Sequence, residues 1–383
     1  MQIMPFHFEE GQDPFDPEWN IRKGLAILKQ KVDITGDLQM ALFYYSGRKN
    51  RPWEPFIRDY WQSFIRFYKD FWGIDLETKP EPAPEPEPDP EPEPEPTDKW
   101  PRPPNDNGIG IHFGDCLPKR VKKFLPLLKE LHVKWVVLAD ESPDLIGKCA
   151  PMFLEEGIMP IARPQTPIDA HPRFSNKARW CKSPYVQIYN EPGDSREWDY
   201  GKPEDWWEIF MDKWVKQAHG VRSAGCYPGL QVIDAGELQK MLLYMVEQNE
   251  TDLWPDMWLS VHSYPILGCP PVCTKHEDDV LGFLKFVKVC KEIMGFVPPI
   301  IVTETAWTSS QASPETRAKW MVEVFEWFKN GQLSNGEQLP DYLFAFCPWI
   351  LFGKFWFGFS WVDNIEHQPM VEAVKKMENF IRK

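Results

Sequence analysis

Positive charge is what this 383-residue sequence is shortest of: 43 Lys and Arg stand against 57 Asp and Glu, a formal net charge of -14. A protein that grips a phosphate backbone needs a basic patch or stripe, and none is present, so no nucleic-acid partner is expected. Eight of the acidic residues fall within 81–98, which hold no basic one, so over half of the imbalance belongs to that stretch. No Gly-x-Gly-x-x-Gly follows any strand pattern, which sets dehydrogenase chemistry aside, and no cofactor is expected. The eight cysteines (Cys116, Cys149, Cys181, Cys226, Cys269, Cys273, Cys290 and Cys347) are scattered, so a small disulfide-stapled scaffold is excluded. Cys269, Cys273 and His276 stand close in sequence, but a fourth ligand at zinc spacing is missing. No metal is expected there; a local disulfide or free thiols are the alternatives.

Long apolar runs are scarce too. The stretch from Met1 has no basic segment followed by an apolar one, so no signal peptide is visible. The near-continuous apolar window of membrane-spanning length is Leu343 to Val362. Pro348, Gly353 and Lys354 interrupt it and aromatics dominate it, so it reads as a buried strand followed by an aromatic loop, with no membrane partner. Nineteen Trp are the unusual abundance, since flat amphipathic rings stack on sugars as well as fill cores.

The chain reads as three parts. Residues 1–78 are patterned for helices: Ile21, Leu25 and Leu28 form one stripe, Leu38, Ala41, Leu42 and Tyr45 a second, and Trp61, Phe64, Ile65 and Tyr68 a third. Residues 79–106 are a linker. From 80 to 96 proline alternates mostly with Glu, a pattern that favours extended polyproline II over helix or sheet, reaching roughly 50 Å at about 3.1 Å per residue. Residues 107–383 alternate strand and helix. Eight strands are read at Gly108–Phe113, Val133–Ala139, Ile158–Arg163, Tyr185–Asn190, Leu230–Asp234, Met257–His262, Pro299–Thr303 and Tyr342–Trp349, with helical patterns such as Leu117–Leu131, Trp206–Ala224, Val280–Met294, Pro314–Lys329 and Met370–Ile381. Eight such units predict an α/β fold, a (β/α)8 TIM barrel.

In that barrel the strand C-termini open on one face. Glu191 follows the fourth strand and Glu304 the seventh, so two carboxylates meet in one mouth. Such a pair can divide the cleavage of an acetal, one protonating the leaving oxygen while the other attacks or activates water. Other strand ends offer further contacts: His262 and Tyr264 beside Glu304, Trp349 at the end of the eighth strand, and Arg163 and His112 as partners for hydroxyls or a carboxylate. Trp307 and Glu141 are weaker candidates. Each also has a plain structural reading, as a satisfied core histidine, a packed indole or a capping glutamate.

Two resemblances add to this reading. Met1-Gln2-Ile3-Met4-Pro5, then Asp13-Pro14-Phe15-Asp16-Pro17-Glu18-Trp19-Asn20-Ile21 with Gly24, then Asp37-Leu38 leading to Ala41-Leu42-Phe43-Tyr44-Tyr45-Ser46-Gly47, resemble the second half of a goose-lysozyme-like lytic transglycosylase domain. That family's catalytic glutamate lies upstream of the first block, so residues 1–78 are expected to be a fragment without it. Residues 107–383, on Asn190-Glu191 and Glu304, resemble clan A of the glycoside hydrolases, retaining enzymes on a (β/α)8 barrel. The resemblance implies that Glu191 is the acid/base, Glu304 the nucleophile and Asn190 a donor to the sugar 2-hydroxyl, with the carboxyls about 5 to 5.5 Å apart. It departs from the clan in showing no clear match to the basic residue that many members keep near the nucleophile. The implied function is a glycosidase cleaving a β-linked polysaccharide, with cell-wall glycan or peptidoglycan the expected target and an extracellular or phage-associated setting. The alternatives are a non-catalytic glycan-binding or wall-targeting barrel and a structural phage component. Carboxyls beyond the retaining range, or a glutamate locked in a buried salt bridge, would favour the binding module.

Overall fold

The computed structural model describes residues 99–382, apart from 170–177, 179–180, 266–267, 277–278, 309 and 354–357. The chain divides between Lys99 and Trp100. The helical unit expected over 1–78 and the Pro-Glu run lie outside the described residues.

The second unit is built on eight strands: β1 (Gly110–His112), β2 (Trp135–Asp140), β3 (Met159–Pro164), β4 (Tyr185–Ile188), β5 (Tyr227–Val232), β6 (Trp258–Ser263), β7 (Ile300–Thr305) and β8 (Leu343–Phe346). They pair in chain order, every pair parallel. A bridge from Ile109 to Phe346 and the bond from His112 N to Pro348 O (2.9 Å) bring the last strand back to the first. The sheet is thereby a nearly closed (β/α)8 barrel. Parallel neighbours need crossovers, and among the described residues helices supply all but the one from β3 to β4: α1 (Pro118–Glu130), α2 (Pro143–Leu154), α3 (Trp206–Ser223), α4 (Ala235–Glu247), α5 (Phe283–Met294) and α6 (Pro314–Asn330), with α7 (Gln368–Lys375) after β8. Ser142, Asp234 and Ser313 cap their helices by accepting from the backbone N–H of Leu145, Glu237 and Thr316. Gly295 and Gly331 end α5 and α6 in the left-handed region that only glycine enters without cost.

Strand alternation sorts the side chains. Outward residues such as Val136, Leu138, Val186, Leu259 and Val302 join Phe124, Phe153, Trp214 and Phe325 of the helices in one continuous core. Inward residues change character along the axis. At the end where the strands begin, Trp135, Met159, Tyr185, Trp258 and Phe344 form a second apolar cluster, with Trp100 and Tyr227 packed against it. A Cβ on Gly229 would stand 2.4 Å from the Trp258 ring, so glycine there makes room for the indole. Trp100 lies 4.4 Å from the Tyr227 ring, and the Tyr185 hydroxyl donates to Pro101 O (2.8 Å), so the segment entering the barrel seals this floor. One level up the inward residues are polar: Gln187, Gln231, Ser260 and Thr303 are fully buried, with the two hydroxyls 2.7 Å apart. Strand β6 carries Trp258, Ser260 and His262 inward in succession.

The eight expected strands are all present, with shifted ends. β4 stops at Ile188 instead of Asn190, because Tyr189 takes a left-handed φ of 62° and leaves the ladder. β5 starts at Tyr227 instead of Leu230; Pro228 and Gly229 look like a turn in sequence but pair with Val186 and Gln187. The last helix ends at Lys375 rather than Ile381. The apolar window from Leu343 opens as β8, and among the described residues no helix is long and apolar enough to cross a membrane.

Candidate active site

Glu304 is the next-to-last residue of β7, opposite His262, just where β6 and β7 slip in register. Such a slip re-aims the side chains beside it. Glu304 is 6% exposed, and both its oxygens are held. Arg163, inward on β3, donates Nη1 to Glu304 Oε1, and the Tyr264 hydroxyl donates to Oε2 at 2.7 Å. Burial alone would push this carboxyl up; the His262 imidazole, the Arg163 guanidinium and the Tyr264 bond together hold it down to about 2. Glu304 is therefore an anion across the whole neutral range. Burial and the Glu304 charge push the Tyr264 phenol well above its ordinary value, so it stays a donor. Arg163 is thus the basic residue beside Glu304. It comes from β3, 141 positions away, which is why nothing near Glu304 in sequence announces it.

Glu191 is presented differently. It sits three residues past β4, after Tyr189, with a φ of 27° of its own; two left-handed residues in three turn the chain sharply at the strand end. Left-handed backbone costs an L-residue energy and clusters where a side chain must be aimed. The Glu191 side chain is 22% exposed, with Oε1 2.9 Å from His262 Nδ1 and Oε2 4.0 Å from Arg196. The same Nδ1 lies 3.6 Å from Glu304 Oε2. Nδ1 is thus within hydrogen-bond distance of Glu191 alone, with Glu304 just beyond it. One oxygen of Glu191, one of Glu304 and a ring nitrogen of His262 all lie within 4.8 Å of one another. Two carboxylates and an imidazole could hold a divalent ion, but Arg163 already sets a fixed cation against Glu304.

The remaining candidates fall into two groups. Asn190 is in the site: its Oδ1 accepts from Arg163 Nη1 at 3.2 Å and from Gln187 Nε2 at 3.4 Å, while its Nδ2 donates to Glu197 at 2.9 Å. Trp349 follows β8, 5.5 Å from the Arg163 guanidinium and 4.1 Å from the His112 ring. His112 is 1% exposed, with both ring nitrogens enclosed. Burial first, and then Arg163, lower its pKa well below the usual value, so it is a neutral ring packed under Trp349. Trp307 is not in the mouth. Its Nε1 donates to Cys269 O (2.9 Å) and its ring packs on Trp320, tying down the loop after β6. Cys269, Cys273 and His276 do not form a ligand group among the described residues; the eight cysteines are thiols, and His276 is exposed. A cleft of ≈ 600 Å³ opens beside the carboxylates, lined by Glu141, Gln165, Thr166, Asn190, Arg196 and Glu197. Glu197 and Gln187 carry no sequence signal. One lies in a polar turn six residues past Glu191, and the other looks like a strand residue.

The fold and site together define a (β/α)8 barrel with a carboxylate pair at its C-terminal face. No family model and no curated protein sequence matches the chain. Among solved structures it is similar to a monomeric beta-xylosidase from Caulobacter crescentus CB15, at 14% identity over 72% of this chain and 68% of that one, with a TM-score of 0.47. It is also similar to an endo-beta-1,4-glucanase from Xanthomonas axonopodis pv. citri (11% identity, 70% and 98% coverage, TM-score 0.45) and a beta-glucosidase from Thermotoga maritima (12%, 61% and 77%, 0.39). Likeness at that level concerns the path of the chain and carries nothing about substrate or mechanism.

Proposed function

We propose that the barrel is a retaining glycoside hydrolase acting on a β-linked polysaccharide, with Glu304 as nucleophile and Glu191 as acid/base. The observation that carries this is the pair itself: one oxygen of Glu191 and one of Glu304 within 4.8 Å of each other across one mouth, with the two carboxylates in opposite environments. Retaining enzymes keep their carboxyls about 5 to 5.5 Å apart, whereas inverting ones need about 6.5 to 9.5 Å to admit a water. Glu304 is buried, ionised and gripped, as an attacking group must be; Glu191 is more open and able to meet a leaving oxygen. In the first step a Glu304 oxygen bonds to the anomeric carbon as the glycosidic bond breaks, and Glu191 gives its proton to the departing oxygen. In the second, Glu191 takes a proton from water, whose oxygen bonds to the same carbon and releases Glu304. Arg163 holds Oε1 and Tyr264 orients Oε2, so Oε2, on the His262 side, is the attacking atom. Trp349 serves as platform and Asn190 as donor to the 2-hydroxyl. A cell-wall glycan and an extracellular or phage-associated setting are part of the same proposal.

A second reading has its own observation. Glu304 is locked in a buried ion pair with Arg163, and a barrel that only binds glycan would have no need to release it. The hydrolase reading is preferred because the pair ties one oxygen and keeps the carboxyl ionised, which a nucleophile requires. The test is reducing-end release from β-glucans, mannans, xylans, chitin and purified peptidoglycan, wild type beside Glu304→Gln. Release by wild type that collapses in the variant supports the two-glutamate mechanism. Release that survives sinks it, and retention of one polymer with no release by either protein moves the reading to a binding module.

A further inference from the structure

Glu197 has a place in the site that the two-carboxylate mechanism leaves unused. Beyond Glu191 the chain makes one 3-10 turn, Ser195–Glu197, whose cap Asp194 accepts from Arg196 N at 2.8 Å and from the Arg196 guanidinium at 2.9 Å. This turn brings Glu197 back against Asn190. The Asn190 amide is then held from both ends, with Oδ1 taking N–H bonds from Arg163 and Gln187 and Nδ2 giving one to Glu197 Oε1 at 2.9 Å. The two ends of an amide are alike in shape and opposite in hydrogen bonding, so only partners decide which end faces a ligand. Glu197 is the acceptor on the Nδ2 side. Burial pushes its carboxyl up, against the bond from Asn190 and the Arg163 charge. Both residues line the cleft beside the carboxylates.

We propose that Glu197 is a positioning residue for Asn190: it takes one hydrogen of Nδ2 and so turns the other toward the hydroxyl next to the bond being cleaved. The role rests on the glycosidase reading above, and it reaches back to the nucleophile. Arg163 Nη1 touches both Asn190 and Glu304, so Glu197, Asn190, Arg163 and Glu304 form one hydrogen-bonded chain.

The experiment compares an aryl β-glycoside with its 2-deoxy counterpart in wild type, Glu197→Ala, Glu197→Gln, Asn190→Ala and the Glu197→Ala/Asn190→Ala double variant. Wild type should favour the hydroxylated substrate. Glu197→Ala should lose about tenfold of that preference, the worth of one good hydrogen bond. The loss should fall in kcat, with the 2-deoxy substrate unaffected. The double variant should lose no more than Asn190→Ala, and Glu197→Gln, which still offers an oxygen to Nδ2, should recover most of the preference. An equal loss on both substrates, or additive losses in the double variant, would overturn the proposal. A wild type that cleaves no glycoside defeats the glycosidase reading separately. The crystal structure of Glu197→Ala then decides the positioning role: an Asn190 amide that keeps its orientation overturns it, and one that turns away upholds it.

Discussion

The two ends of this barrel are made by the same eight strands and have opposite chemistry. At the floor, Trp135, Tyr185, Trp258 and Phe344 meet Trp100 and Tyr227 in an apolar plug whose few polar atoms are satisfied locally. At the mouth, Arg163, Glu191, His262 and Glu304 crowd charge and hydrogen bonds together, next to a cleft lined by Asn190, Arg196 and Glu197. The change takes two steps along one strand, from Trp258 through Ser260 to His262. Apolar packing stabilises without direction, so the floor can hold the barrel shut with little regard to detail. Buried charge is costly unless paired, so the mouth holds its charges only in one arrangement. Stability and chemistry are thereby assigned to different ends.

The sharpest way to break that contrast is to exchange effects between the ends. Glu191→Gln should lower turnover about 10²- to 10⁴-fold while leaving the melting temperature nearly unchanged, because Glu191 is partly exposed and bonds only at the mouth. Trp258→Ala should do the reverse: a loss of about 3 to 5 kcal/mol in denaturant unfolding, with kcat per folded molecule kept. A floor variant that abolished turnover without unfolding would refute the division.

Arg163→Met sits between the two, since it strips a buried carboxylate of its cation. Its expected cost is about 3 to 5 kcal/mol, read in urea, together with loss of activity. The linkage to pH has a definite sign. Glu304 is held at about 2, below its ordinary 4.5, so its contribution of roughly 3 kcal/mol is fully present above about pH 4.5 and is lost as pH falls toward 2. Stability measured from pH 6 to pH 2 should show that acid limb in wild type and in floor variants, and a flatter one in Glu304→Gln. Tyr264→Phe is the mildest change. It removes one bond to Glu304 Oε2, the oxygen proposed to attack, and should cost about tenfold in kcat without moving the unfolding midpoint by much.

Periodicity made the fold legible, because a barrel strand buried on both sides is a short β-branched run wherever it falls, as in Ile300-Ile301-Val302. It failed at Tyr227-Pro228-Gly229, where residues that usually break strands serve a crowded floor. The carboxylates were legible as the residues that follow two such runs. Their partners were harder to see. Arg163 reaches Glu304 only because β3 and β7 share one enclosed interior, and Glu197 reaches Asn190 only through a capped turn. Trp307, adjacent in sequence to the Glu304 strand, is turned outward by the bond from its indole to Cys269 O. Nearness along the chain is a poor guide where the site is closed by contacts across a barrel.

Glu191 follows β4 and Glu304 lies in β7, so neither half of the barrel owns the pair. The exposed stretch at 200–205 runs between them. Severed there, the chain would become two fragments with one carboxylate each, both silent alone. Under the proposed two-glutamate mechanism, glycoside cleavage on mixing would count reassembled barrels one by one, making this protein a reporter of its own completion.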